Sequence, residues 1–200
     1  SISELQDFIE KEISDCKEES MLLSLHLKAS MMKVSDPIIF GYVLKVFFKN
    51  FIENNGTILD KINVNFNSGL SNLFEKINQL DKPTKEKLVN EIELDIENGP
   101  DLAMVNSEKN ITNFHIPSDM IIDASMPAMI KSSGKMWNKN GELRDTKAII
   151  PDSSYSSIYQ ATIDFCKENG QFDPSVMGTV QNVGLMAKKA EEYGSHDKTF

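Results

Sequence analysis

The chain has 200 residues, 40% of them hydrophobic, with 11 Phe and 10 Met but a single Trp; it is an ordinary globular composition, long enough for one large domain or two small ones. The formal net charge is -9, with -7 carried by residues 1–106 and -2 by the remainder, so neither half offers the basic face that nucleic acid or an anionic membrane requires. One arginine, Arg144, stands against 20 lysines, and a complete polyanion site is hard to build without the usual bidentate clamp for carboxylates and phosphates.

Cys16 and Cys166 lie far apart with no metal-ligand or C-x-x-C spacing. They read as buried or free thiols of a reducing, cytoplasmic compartment. No signal peptide is visible, and no apolar run approaches the length of a membrane span. The chain opens on Ser1 without Met and ends on Lys198-Thr199-Phe200, which suggests a piece of something longer.

Apolar residues at Ile2, Leu5, Phe8, Ile9 and Ile13 recur at helical spacing, with acids between them, and predict an amphipathic helix over 2–19. The largely apolar run 21–27 reads as a buried strand ending on Lys28. A lysine at such a tip can act in proton transfer, although a lysine snorkelling to the surface is the plainer reading. Ser35-Asp36-Pro37 is a helix-start signal, and the nearly all-apolar segment it opens predicts a core helix over 37–53, stopped by Asn54-Asn55-Gly56. Residues 54–100 read as a mainly helical scaffold section, with helices near 69–79 and beyond Pro83-Thr84. Leu102–Val105 is a second strand candidate, followed by a polar stretch to Asn113.

The stretch 117–151 is the most suggestive. Its short apolar strand candidate, Met120-Ile121-Ile122, ends on Asp123, and a small-residue turn leads to a helix start at Met126-Pro127. A carboxylate at a strand tip facing a helix start is a common place for ligand or metal chemistry in α/β proteins; a simple helix cap is the plainer alternative. Residues 154–169 predict an amphipathic helix ended by Gly170. A last helix stops at Gly194, placing Tyr193 in its last turn with His196 and Asp197 just beyond; an ordinary amphipathic boundary tyrosine is the alternative reading.

Several chemistries lack their signatures. There is no G-x-G-x-x-G, no G-x-x-x-x-G-K-[ST], no H-E-x-x-H and no G-x-S-x-G, and His26, His115 and His196 have no ligand spacing. Alternating strands and helices in 21–53 and 102–135 predict an α/β fold with a partly parallel sheet. From the residues alone the reading stops at a soluble α/β domain, incomplete as it stands.

Longer strings carry it further: Leu25-His26-Leu27-Lys28-Ala29-Ser30-Met31-Met32-Lys33-Val34-Ser35-Asp36-Pro37-Ile38; Pro117-Ser118-Asp119 with Ile122-Asp123-Ala124-Ser125-Met126-Pro127-Ala128; Asp145-Thr146-Lys147-Ala148 with Ile150-Pro151-Asp152; and 183–200, which contains Glu191-Glu192-Tyr193-Gly194-Ser195-His196-Asp197. Together they resemble the monomeric type of NADP-dependent isocitrate dehydrogenase over essentially the whole chain. The resemblance implies that 1–200 is a single segment of the large substrate- and metal-binding domain of a longer monomeric enzyme. It also implies an isocitrate/isopropylmalate dehydrogenase-like α/β fold of short, partly parallel strands packed with helices. Lys28, in the H-L-K-A motif, would be a catalytic, substrate-contacting proton-transfer residue. Asp123, in D-A-S-M-P, would ligate Mg²⁺ or Mn²⁺. Tyr193, in E-E-Y-G-S-H-D, would be the second acid/base group, also touching isocitrate.

The implied reaction is metal-assisted oxidative decarboxylation of isocitrate to 2-oxoglutarate, with most NADP contacts, the substrate-gripping arginines and further metal carboxylates outside these residues; the segment alone is then expected to be inactive. Asp152 is followed by Ser153-Ser154 where the family commonly has Arg-Cys, and Gln181 stands where Pro is usual, departures that bear on local packing or tuning. The alternative is a non-catalytic α/β module that binds a ligand or a protein, motivated by the missing cofactor loop and the shortage of Arg.

Overall fold

The computed structural model describes residues 1–173. The chain divides into two compact units, 1–151 and 152–200. In the first unit the helical spacing of the leading segment gives α1 (Ile2–Glu18), which buries Ile9 and Cys16. Burial pushes the Cys16 thiol up to about 11, and its Sγ donates to the Met21 carbonyl at 3.2 Å. This is an inert, packed thiol.

The chain then enters β1 (Leu22–Leu25), whose four residues are all buried. Side chains alternate across a strand, and here each face has its own core. Leu23, Leu25 and Leu27 enter the larger core with Phe40, Leu44 and Phe114, whereas Leu22 belongs to a smaller one with Ala103, Met120, Met129 and Met136. A strand covered on both sides must read as a nearly continuous apolar run, which is why its sequence signal is strong.

The predicted helix over 37–53 is two helices. α2 (Ser35–Phe47) ends at the buried Phe48, and α3 (Lys49–Lys61) continues through Asn54, Asn55 and Gly56. Tertiary contacts account for both departures. Asp95 accepts the Phe51 N–H at 3.1 Å, satisfying an amide in the first turn of α3, so the break at Phe48 leaves that donor paired. Asn55 does not stop the helix, because its side-chain amide donates back to the Phe51 carbonyl and across to Glu91. The scaffold section is helical as predicted, with a short 3-10 turn at Phe66–Ser68, α4 (Leu70–Ile77) and α5 (Lys82–Asn98). Gly69, at φ +85°, lets the start of α4 press against the carbonyls of Phe114 and His115, where a Cβ would collide with the His115 carbonyl.

The polar stretch after Val105 is a small hairpin of β2 (Met104–Asn106) and β3 (Ile111–Thr112). The Met120–Ile122 strand candidate shrinks to a single parallel bridge between Ile121 and Leu27, and α6 (Ile122–Lys131) begins at once. The predicted helix start at Met126-Pro127 is therefore late: Pro127 lies inside the helix. β4 (Lys135–Trp137) and β5 (Leu143–Ile149) form an antiparallel hairpin around Asn138–Glu142, and β5 also pairs parallel with β1, from Leu22↔Thr146 to Leu25↔Ile149. The sheet order is thus β1-β5-β4, mixed and small, with Leu23↔Leu102 bridging on the other edge of β1. An α/β fold with a partly parallel sheet is what the structure contains. In the second unit α7 (Ser153–Asn169) matches the helix predicted over 154–169, and Gly170 follows it at φ +82°. Among the described residues, no helix is long and apolar enough to cross a membrane.

Candidate active site

Two of the three residues that the resemblance singled out, Lys28 and Asp123, meet where β1 runs out beside α6. Ser24, His26 and Lys28 alternate along one face of the extended chain, the face of the smaller core, in the run Leu22-Leu23-Ser24-Leu25-His26-Leu27-Lys28. Each reaches across the same junction. Ser24 Oγ accepts from Asn113 Nδ2 at 3.0 Å, His26 Nδ1 lies 2.6 Å from Ser125 Oγ, and Lys28 Nζ lies 2.9 Å from Asp123 Oδ2.

Lys28 is held from two directions. Its backbone N–H donates to Asp36 Oδ2 at 2.7 Å, and Asp36, only 3% exposed, is held in turn by the Ser35 hydroxyl. The helix-start signal at Ser35-Asp36-Pro37 predicts a helix from residue 37; α2 instead starts at Ser35, and the Asp36 carboxylate turns back to grip the strand end. The carbonyl of Lys28 accepts from Met31 N–H and Met32 N–H at 3.0 and 2.7 Å, which fixes the turn leaving the strand. The side chain of Lys28 is 17% exposed and that of Asp123 40%, so the pair sits at a rim open to solvent on the acid's side.

Asp123 is not at a strand tip. It is the second residue of α6, after Ile121, whose extended backbone (φ -99°, ψ 117°) serves as the N-cap without a side-chain bond. The reason is local: Ala124 and Ser125 both donate to the Ile121 carbonyl, at 2.9 and 2.8 Å, so the helix winds immediately. A carboxylate in a first helical turn gains from the partial positive charge of the free N–H groups there. Asp123 does not cap the helix with its side chain either; it faces Lys28.

His26 is fully buried, and burial pushes its imidazole down to about 4, so it is neutral around pH 7. Nothing in the spacing of the three histidines pointed to it. The only available signal was the period-two row of polar residues inside an apolar strand. Ser125, Asn113 and the inward turn of Asp36 carried no such signal. Tyr193 and Gln181 lie outside the described residues; Ser153 and Ser154 are the first residues of α7.

The donor set bears on a metal. Asp123 offers a hard carboxylate oxygen of the kind Mg²⁺ and Mn²⁺ favour, and Lys28 engages only one of its two oxygens among the contacts described. Among the described residues, however, no group of three or more His, Cys, Asp or Glu side chains could hold an ion. This part of the chain therefore fits such a cation as the source of one ligand.

Similarity to known proteins decides the family. The family model of monomeric isocitrate dehydrogenase matches residues 1–200. The chain belongs to the monomeric isocitrate dehydrogenase family. It is 52% identical over 196 residues to isocitrate dehydrogenase (NADP) 2 of Psychrobacter sp. (strain 13A), covering 98% of this chain and 26% of that protein. To isocitrate dehydrogenase (NADP) of Azotobacter vinelandii it is 53% identical over 196 residues, with the same coverage. Isocitrate dehydrogenase (NADP) of Corynebacterium glutamicum is 53% identical over 200 residues, 100% of this chain and 27% of that protein. The chain spans about a quarter of the length of these curated relatives. A monomeric isocitrate dehydrogenase segment of this size need hold only part of a site, which agrees with a junction that pairs one lysine with one acid.

Proposed function

We propose that this chain supplies a catalytic lysine and one metal-binding carboxylate to an NADP-dependent isocitrate dehydrogenase, as a segment of the enzyme's large domain. The ion pair between Lys28 and Asp123 carries the reading: two residues far apart in sequence, each assigned a role by the resemblance, meet at 2.9 Å on a solvent-open rim. The fold belonging to this reading is that of the isocitrate/isopropylmalate dehydrogenases, and the whole protein is a cytoplasmic monomer. Family membership supports the enzyme over a non-catalytic binding module.

Mg²⁺ or Mn²⁺, bound in part through Asp123, would supply Lewis-acid polarisation of the substrate's hydroxyl and carboxylate oxygens. Lys28, fixed at its main chain by Asp36, presents its amine to the substrate hydroxyl. Once its own ammonium proton has passed to solvent, the neutral amine would accept the hydroxyl proton, while NADP⁺, when bound, would supply the acceptor for the C–H hydride. Loss of CO₂ from the resulting keto acid would leave an enolate, which gains a proton at carbon to give 2-oxoglutarate. Tyr193 would be the donor for that last step, a role that the resemblance alone assigns to it. Most NADP contacts and the clamps on the substrate carboxylates come from outside these 200 residues, so the chain by itself turns over no isocitrate.

The test places Lys28→Met and Asp123→Asn in a family-length enzyme. Lys28→Met lowers kcat by about 10²–10⁴, the usual loss for a positioned acid/base. Asp123→Asn raises the Mn²⁺ dissociation constant more than about tenfold, since even outer-shell changes cost 10–100-fold. Wild-type turnover by folded Lys28→Met, or unaltered Mn²⁺ binding by Asp123→Asn, would overturn the assignment of that residue.

A further inference from the structure

We propose that His26 is a positioning residue: its ring bridges β1 to the first turn of α6 and thereby holds Asp123 against Lys28. The ring is bonded at both nitrogens: Nδ1 lies 2.6 Å from Ser125 Oγ and Nε2 lies 2.8 Å from Ser24 Oγ. Beyond Ser24 the row continues to Asn113, whose Nδ2 donates to Ser24 Oγ at 3.0 Å and to the Leu25 carbonyl at 3.3 Å. Either neutral tautomer completes it. With the proton on Nδ1 the ring donates to Ser125 and accepts from Ser24; with the proton on Nε2 both directions reverse, and the Ser24 hydrogen turns to the Met120 sulfur at 3.5 Å. In both cases the imidazole ties the two hydroxyls together.

This row can fix the site because of where it is anchored. The main chain ties the end of the strand to the start of α6 through the short bridge between Leu27 and Ile121, where Ile122 N–H donates to the Leu27 carbonyl at 2.8 Å. A link this short, at one place on the helix, leaves the helix free to pivot about it. The His26–Ser125 bond, two residues beyond Asp123 on the same turn, is a second point and removes that freedom. The ion pair cannot do this for itself: Asp123 is 40% exposed, and exposed pairs contribute little. Losing a bond within the buried row leaves polar atoms stranded away from water, a heavier penalty. The arrangement therefore runs from His26 to Ser125, to the pose of α6, to Asp123, and then to Lys28.

The relevance of this device to catalysis rests on the function proposed above. Its test does not, because it reads the ion pair without turnover, and the two readings fail separately. Trace acylation with acetic anhydride, scored at Lys28 relative to the other lysines, reads how tightly Asp123 holds the amine. Ser125→Ala and His26→Phe are expected to raise Lys28 labelling roughly fivefold, the factor expected for one lost hydrogen bond. Ser125→Thr, which keeps the hydroxyl, and His26→Asn, whose amide nitrogen takes the place of Nδ1, are expected to label like the parent. Unchanged Lys28 labelling in folded Ser125→Ala overturns the proposal; so does equal labelling of Ser125→Thr and Ser125→Ala. Where His26→Phe does not fold, the Ser125 pair decides.

Discussion

A buried imidazole that refuses a proton makes acid a stress on the fold. His26 has its ordinary value of 6.5 in the unfolded chain and about 4 in the folded one. Between those values the unfolded state binds a proton that the native state does not. Its contribution is therefore complete above pH 6.5, falls as the pH drops, and is exhausted near pH 4, a loss on the order of 3 kcal/mol. Burial also lowers His115, which adds in the same sense. Denaturant unfolding followed across this range should show stability declining with acid, and His26→Asn should flatten part of that decline; an equal slope in both would place the acid sensitivity elsewhere. At this scale the sequence spoke unevenly. Lys28 and Asp123 were legible as individuals through the motifs that hold them, but nothing in a linear string says that they touch. His26 had only the period-two polar row of its strand to mark it, and Ser125, 99 residues away, had nothing, because a buried hydrogen bond between two common polar residues leaves no joint pattern in a linear string.

Among the elements, those that local chemistry dictates were the readable ones. α1, α4 and α5 follow from apolar periodicity, and α5 also from Pro83 in its first turn behind the capping Asp81. What went unread was set by distant partners. The break at Phe48 depends on Asp95 of α5, and the survival of α3 through Asn54-Asn55-Gly56 depends on Glu91 of the same helix. Removing the first of these is a direct check. Asp95→Ala strips the acceptor from the Phe51 amide and should cost about 1 kcal/mol, as loss of a helix cap does, seen as a lower midpoint in urea with an unchanged slope. Asp95→Asn, which keeps an acceptor oxygen, should recover most of it. The hairpin of β4 and β5 did have a local signal, Asn140-Gly141, with Gly141 at φ +76°, but β4 is only three residues long and β5 opens on three exposed residues, which gives little alternation to notice. The start of α6 was misplaced because Pro127 resembles a helix opener, and only the early hydrogen bonds to the Ile121 carbonyl show that winding had already begun.

For the first unit as a whole, the decisive feature is that both long edges of β1 are closed by chain that comes much later. Leu23 bonds with Asp101 and Ala103, and His26 N–H donates to the Ile149 carbonyl. Arg144, one strand over, reaches the Ser20 carbonyl across 124 residues. During synthesis β1 therefore emerges early and stays unpaired, apolar on both sides, until β5 has left the ribosome. Bringing such distant ends together costs chain entropy before any contact repays it, while the helices from α2 to α5 can form from near neighbours. Folding should then proceed in two stages. Pulse-labelling hydrogen exchange during refolding should find amides in α3 and α5 protected ahead of those of Leu23 and His26, and simultaneous protection would contradict this order. Until the second stage ends, Lys28 and Asp123 have no fixed relation. That pairing is the last thing the first unit makes, and a nascent chain stalled before residue 149 would expose a sticky strand in its place.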